Sequence, residues 1–121
     1  MPILTILIED SKTMREALVP SMAEMADAQV IAMADTASGA IDALEEHKLI
    51  WRLAVVDLFL KEGNGLTVLR ACARRRPDQH VVVLTNYATD DIRRTCAKLG
   101  ADAIFDKSTE LEPFFQFVRG L

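Results

Sequence analysis

The sequence predicts an α/β fold in which five short strands, each followed by a helix, form an open parallel sheet with helices on both faces. Three observations predict it. Short apolar runs alternate with segments whose apolar residues recur at i, i+3, i+4 and i+7. Four of the five runs are nearly continuous in hydrophobic residues, as strands buried on both faces of a parallel sheet require. Turn and cap residues stand at the joints: Asn64-Gly65 leads into the third helix, Pro77-Asp78 follows its end, and Gly100 stands where a helix-ending left-handed residue belongs.

The strands are expected at Ile3 to Ile8, Val30 to Ala34, Leu53 to Asp57, Val81 to Thr85 and Ala103 to Asp106. Met14, Ala17, Leu18, Ser21, Met22 and Met25 form the buried stripe of the first helix, and Ala37, Ala40, Ile41 and Leu44 that of the second. Leu66, Leu69 and Ala73 sketch the third, Ile92, Cys96 and Leu99 the fourth, and Leu111, Phe114, Phe115 and Val118 the fifth. Pro20 interrupts the first helical pattern off its apolar stripe, so a kink is expected that spares the buried face. Thr109 with Glu112 resembles a capping box, although Pro113 favours a helix start one or two residues later.

Length and composition bound the rest. A chain of 121 residues, 50% hydrophobic and 26% charged, is expected to be one domain over residues 1–121 with a packed core. Its net charge of −4 argues against non-specific nucleic-acid binding, which needs a surplus of Lys and Arg. The apolar start reaches Glu9-Asp10 too soon for a membrane span and has no basic leader, so no signal peptide is expected. Cys72 and Cys96 lack metal-site spacing and are expected as reduced, buried thiols.

In open parallel sheets, ligands collect beyond the carboxyl ends of the strands. Those ends carry Glu9 and Asp10, Asp57, Thr85 and Lys107. Singly, each has an ordinary structural reading: Asp10 as a helix cap, Thr85 as a turn residue, Lys107 as a solvated cation. Together they are harder to dismiss. Two carboxylates about 5 Å apart repel by about 3 kcal/mol at an effective dielectric of 20, so either protons remain or a cation sits among them. Carboxylate oxygens with open positions suit Mg2+.

With these landmarks in order, the chain resembles the receiver domain of bacterial two-component response regulators. The resemblance runs from Glu9-Asp10 through Val55-Val56-Asp57-Leu58, Gly63-Asn64-Gly65, Leu84-Thr85-Asn86 and Gly100-Ala101-Asp102 to Phe105-Asp106-Lys107-Ser108. It implies a flavodoxin-like (βα)5 fold with strand order 2-1-3-4-5. It also implies that Asp57 is the phosphoacceptor and that Glu9, Asp10, Asp57 and the backbone carbonyl of Phe59 hold Mg2+. Thr85 would bond a phosphoryl oxygen and Lys107 would pair with the phosphate. The implied partner is a sensor histidine kinase or histidine phosphotransfer protein. A homodimer or output partner would dock on the face of the fourth helix, fifth strand and fifth helix. A cytoplasmic setting is implied, with no membrane and no direct nucleic-acid contact. Such a chain would catalyse its own phosphorylation and dephosphorylation without a conventional turnover substrate.

The sequence departs from the family pattern in three places. Ile104 stands where an aromatic usually precedes the Lys by three residues, which leaves two readings: an active-like arrangement populated without phosphate, or Tyr87 in place of the missing ring. Lys61 replaces a proline four residues after the acceptor, so a looser loop is expected. Ser108 replaces the proline after the Lys, which removes the possibility of a cis Lys-Pro bond. Phe59 and Tyr87, each two residues beyond a site residue, are expected to flank the approach to phosphorus and shield it from water.

Other candidates read as structural: His47 and His80 as surface or capping residues, Arg74-Arg75-Arg76 as cations at a helix end, Trp51 as edge packing. Phe117 departs from the buried stripe toward a contact surface. Two rival functions remain. A pseudo-receiver would bind partners without phosphotransfer. A nucleotide or flavin binder would need a glycine-rich phosphate loop after the first strand, which the sequence lacks.

Overall fold

A computed structural model describes residues 1–121. The elements alternate as expected: β1 (Ile3–Ile8), α1 (Lys12–Ala26), β2 (Ala28–Ala34), α2 (Ala37–Glu46), β3 (Leu53–Val56), α3 (Gly65–Ala71), β4 (His80–Thr85), α4 (Asp90–Lys98), β5 (Ala103–Asp106) and α5 (Leu111–Arg119). The strands form one parallel sheet in the order β2-β1-β3-β4-β5. This is the flavodoxin-like arrangement, with the change of direction in strand order between β1 and β3. No helix is long and apolar enough to cross a membrane.

Period-two alternation divides each strand between two cores. Ile6, Ile8, Ala54, Val56, Val81 and Val83 face α2, α3 and α4, whereas Leu7, Leu53, Val55, Val82 and Leu84 face α1 and α5. Both sets are buried, which is why the strands read as unbroken apolar runs. Ile104 joins the first core and Phe105 the second, where its ring meets Phe114 and Phe117 with centroids 6.0 and 5.9 Å apart.

Local chemistry sets the helix ends. Ser11, Thr36, Asn64 and Thr89 are N-caps whose side chains accept backbone N–H groups of the first turn. Gly100 takes φ +97°, as its place after α4 requires. Helix α1 continues through Pro20, which is exposed away from Leu18, Met22 and Ala26.

Several expectations need correction. β2 begins two residues early, at Ala28, because Ile3 and Leu4 offer it a pairing partner there. Met25 is exposed, not part of the stripe, since Leu18, Met22 and Ala26 already fill the contact with the sheet and α5. Ala73 is exposed beyond the short α3, and Val68, Leu69 and Cys72 take the buried positions. Trp51 is a core residue, 3% exposed, packed with α2 and α3 residues instead of lying at an edge. The capping box at Thr109 does not form. Asp106 Oδ1 accepts the N–H groups of Ser108 and Thr109, and α5 begins at Leu111 after Glu110, which makes no side-chain cap bond.

The loop after β3 is tethered where looseness was expected. The N–H of Lys61 donates to the Asp35 carbonyl at 2.9 Å, a bond that proline could not make, and Ala37 N–H donates to the Glu62 carbonyl at 2.9 Å. At the far end of this loop, Gly65 lets α3 approach the end of β3: a Cβ there would lie 2.4 Å from the Asp57 carbonyl oxygen and 2.8 Å from Leu58 Cα. Backbone cannot give way as a flexible side chain does. Gly65→Ala is therefore expected to lower stability by about 1–3 kcal/mol, while Gly120→Ala, whose nearest contact is 3.5 Å away, leaves thermal unfolding nearly unchanged. Equal melting temperatures for the two variants would refute the close-approach argument.

Candidate functional site

The carboxyl ends of β1, β3 and β5 bring four charged side chains together. Glu9 and Asp10 leave β1 just after its last pairing with β2, where Glu9 N–H donates to the Ala34 carbonyl at 2.9 Å. Asp57 leaves β3 with its N–H on the Ile8 carbonyl at 2.8 Å, so the two acidic segments are held side by side by sheet bonding. Lys107 follows β5, its N–H bonded to the Thr85 carbonyl at 3.0 Å. Its ammonium lies 2.6 Å from Glu9 Oε1 and donates to Asp57 Oδ2 at 3.0 Å. Lys107, Glu9 and Asp57 have side chains 9%, 2% and 5% exposed, respectively, so this is a desolvated ion cluster. Such a cluster survives only when paired and hydrogen-bonded.

Asp10 sits at the rim and is exposed. The capping role open to it in the sequence belongs to Ser11, whose Oγ accepts Met14 N–H at 3.2 Å. Glu9, Asp10 and Asp57 each offer a carboxylate oxygen, and these oxygens lie within 4.8 Å of one another. Against three carboxylates stands one ammonium.

The imbalance appears in the titration of the group in the middle. Burial and then the charge of Glu9 raise the Asp57 carboxyl from its ordinary value to about 7, against the opposing pull of Lys107. Lys107 loses through its own desolvation but gains more from bonding to Glu9 and Asp57, so its pKa is raised and the ammonium is held. Desolvation is the largest single influence on Asp10 and raises it, but its hydrogen-bonding reach to Glu9 and Asp57 and the attraction of Lys107 together outweigh this, leaving it lowered. One rim carboxylate that ionises readily beside an inner one that resists ionisation is a donor set that gains by taking up a cation.

Thr85 ends β4, fully buried, and its hydroxyl accepts Tyr87 N–H at 3.2 Å. Phe59 N–H donates to Asp57 Oδ1 at 3.4 Å. Thus each residue two positions beyond a site residue bonds back to it, and the two rings meet above, with centroids 4.6 Å apart, while remaining 54% and 57% exposed. They form a tilted aromatic pair joining the loops after β3 and β4.

Sequence reading missed three participants. Arg15 donates from α1 to the Glu9 carbonyl at 2.7 Å. Its only signal was a cation one turn into the helix that follows the acidic pair. Arg93 and Glu110, seventeen positions apart in sequence, bond at 2.6 Å across the loops around β5, and nothing local announces them. Other candidates lie elsewhere. His47 follows α2 and His80 opens β4. Arg75 bonds Cys72, Gln79, Gly100 and Asp102, and Arg76 bonds Asp78 and Leu49, so two of the three consecutive arginines serve the scaffold. Cys72 and Cys96 are buried free thiols, with burial raising Cys72 to about 11. Phe117 is half-buried against Phe105.

Known proteins share this fold. The RegA photosynthetic apparatus regulatory protein of Rhodobacter capsulatus is 40% identical over 57 residues, which cover 47% of this chain and 31% of that protein. The transcriptional regulatory protein YhcZ of Bacillus subtilis is 28% identical over 107 residues, 88% of this chain and 49% of the relative. The chain therefore spans less than half the length of these curated relatives. Among solved structures, a LuxR-family DNA-binding response regulator from Staphylococcus aureus superposes with a TM-score of 0.86 at 19% identity, covering 98% of this chain and 97% of that one. A response regulator from Burkholderia pseudomallei, solved with a phosphorylated aspartic acid, a calcium ion and citrate, gives 0.78 at 23% identity over 92% of this chain and 63% of that one. The model of the response regulator receiver domain family matches residues 5–119, and the chain belongs to that family, a receiver domain of two-component signalling.

Proposed function

We propose that this chain is a phosphoacceptor switch in which Asp57 takes a phosphoryl group from a phosphohistidine donor in the presence of Mg2+. The observation that carries the reading is the Lys107 ammonium bonded to both Glu9 and Asp57, with Asp10 open to solvent beside them. An Asp57 oxygen attacks phosphorus in line, the P–N bond to the donor imidazole breaks with its electron pair going to nitrogen, and an acyl phosphate forms. Later a water oxygen attacks the same phosphorus, the bond to Asp57 breaks, and carboxylate and inorganic phosphate are regenerated.

The donor set fits Mg2+: hard oxygen ligands, one of them at the solvent edge, with a charge deficit that a divalent ion offsets. Glu9, Asp10, Asp57 and the Phe59 carbonyl would hold it, and bound there it would neutralise charge on the transferring oxygens. Lys107 is positioned to pass from Asp57 oxygen to phosphoryl oxygen, and Thr85 to donate its hydroxyl to another. That last step draws the loop after β4 toward Asp57 and alters the face made by α4, β5 and α5, where an output partner or second copy would dock. The donor would be a sensor kinase or histidine phosphotransfer protein. The phosphorylated aspartic acid in the Burkholderia pseudomallei relative supports this assignment.

Incubation with acetyl phosphate and Mg2+ should add the mass of one phosphoryl group, and Asp57→Asn should abolish the gain. Intact mass spectrometry decides it: no gain in the folded wild type, or a gain persisting in Asp57→Asn, rejects the assignment. The aromatic pair over the site should slow water attack, so Phe59→Asn with Tyr87→Ala should speed dephosphorylation about tenfold, equivalent to about 1.4 kcal/mol of barrier. An unchanged decay of the phosphorylated mass would exclude shielding.

The raised Asp57 pKa has a definite sign in stability. Between its ordinary value and about 7, the folded state binds more protons than the unfolded one, so this group lowers stability as pH rises through that window. Asp57→Asn removes the term. Its melting temperature should exceed that of wild type by more at pH 8 than at pH 5, and Mg2+ should narrow the gap by stabilising wild type. Parallel melting curves across pH would show that Asp57 is not perturbed.

A further inference from the structure

The face that would carry the signal is crossed by a clasp built on Arg93. This side chain, half-buried in α4, spends its donors on three separate segments. Nε donates to the Ala88 carbonyl at 3.0 Å in the loop after β4, and Nη1 to the Ile104 carbonyl at 3.1 Å in β5. Nη2 donates to Glu110 Oε1 at 2.6 Å just before α5, and the same oxygen accepts Asp106 N–H at 3.0 Å. Bonding to Arg93 holds the Glu110 carboxyl below its ordinary range, so the contact is ionic at neutral pH. A second tie closes nearby, where Ser108 Oγ donates to Asn86 Oδ1 at 3.3 Å. A proline at position 108, as in the usual family pattern, would have no hydroxyl to make it.

The loop from Asn86 to Ala88 is thereby fastened at two points to the segment from Ile104 to Glu110. It is also the loop attached to Thr85, whose hydroxyl holds the Tyr87 N–H. Drawing Thr85 toward a phosphoryl group on Asp57 moves this loop toward β3, away from β5. A planar guanidinium cannot follow, because its donors fix the separation of their acceptors. The Ile104 side chain points into the core on the α4 side, so position 104 supplies no ring to fill space on this face, and its carbonyl serves the clasp instead.

We propose that Arg93 is a positioning residue for Thr85: with Glu110 it clasps the loop after β4 to the loop before α5, and phosphoryl binding must open that clasp. The inference rests on the phosphoacceptor reading of Asp57. By linkage, a contact present only in the unphosphorylated arrangement weakens phosphoryl binding by the factor with which it favours that arrangement.

The test is the affinity for beryllofluoride, a phosphoryl mimic, titrated with Mg2+ and followed by the amide resonances of the folded protein. Arg93→Ala and Glu110→Gln should each bind it about three- to tenfold tighter than wild type. The double variant should gain no more than the larger single change, since both remove one contact. Arg93→Lys, which can reach Glu110 but cannot span both carbonyls, should fall between. A merely structural role would lower the melting temperature and leave affinity equal or weaker, and that outcome overturns the proposal. Hydrogen exchange at Tyr87 N–H separates this inference from the reading beneath it. If wild type binds no mimic, the role of Asp57 fails, yet faster exchange in Arg93→Ala still supports the positioning role, and unchanged exchange rejects it.

Discussion

One ammonium stands against three carboxylates, and the rest of the structure is arranged around that inequality. Lys107 reaches Glu9 and Asp57 at bonding distance only because β5, β3 and β1 end at the same edge of the sheet. Their spacing is set by backbone bonds. Asp57 N–H is held by Ile8, Glu9 N–H by Ala34 and Lys107 N–H by Thr85, so each charged residue sits one step beyond a strand and inherits its register. The apolar cores on both faces keep water from the inner pair while Asp10 stays wet. A deficit of positive charge in a dry place is unstable unless something answers it. The raised pKa of Asp57 answers it in part, by making the carboxylate readier to take a proton, and a divalent cation would answer it without taking the nucleophile out of its ionised form.

The sheet was legible because burial on both faces leaves an unambiguous record. Alternate residues of β1, β3 and β4 pack on α1 and α5 and on α2, α3 and α4, and the one polar interruption inside these strands, Thr5, is itself buried with its hydroxyl donating to the Ile3 carbonyl. The site residues were legible for a related reason: charged or hydroxyl residues directly after such runs have nowhere to lie except the sheet edge. Helix details were less so. Met25 and Ala73 carry the right hydrophobicity at the right spacing, but how deep a helix sits and where it stops depend on its neighbours, and α3 gives out at Ala71. Trp51 shows the opposite error, since a large ring before a strand reads as an edge until α2 and α3 are seen to close over it.

Partners distant in sequence left no trace at all. Arg93 and Glu110 look like two more surface charges, and only the fold brings their helix and loop together. The same holds for Lys61, where loss of a proline read as loss of restraint. The backbone N–H that lysine restores is what ties the loop to Asp35, so the substitution exchanges a covalent constraint for a hydrogen bond.

The two aromatic rings connect these observations. Phe59 and Tyr87 are more than half exposed and belong to neither apolar core. Each, however, is fastened by its own N–H to the side chain two residues earlier, Asp57 in one loop and Thr85 in the other. The rings in contact therefore tie together the two residues that phosphoryl transfer would make neighbours through phosphorus. From the opposite side, Arg93 and Ser108 hold the Thr85 loop against β5 and the start of α5. That loop is suspended between the aromatic contact on one flank and the polar clasp on the other. Thr85 itself is held to β5 through its carbonyl, which accepts Lys107 N–H, so these two sets of contacts bear on the loop that follows it. A change of charge at Asp57 acts on the side where the aromatic pair already pulls.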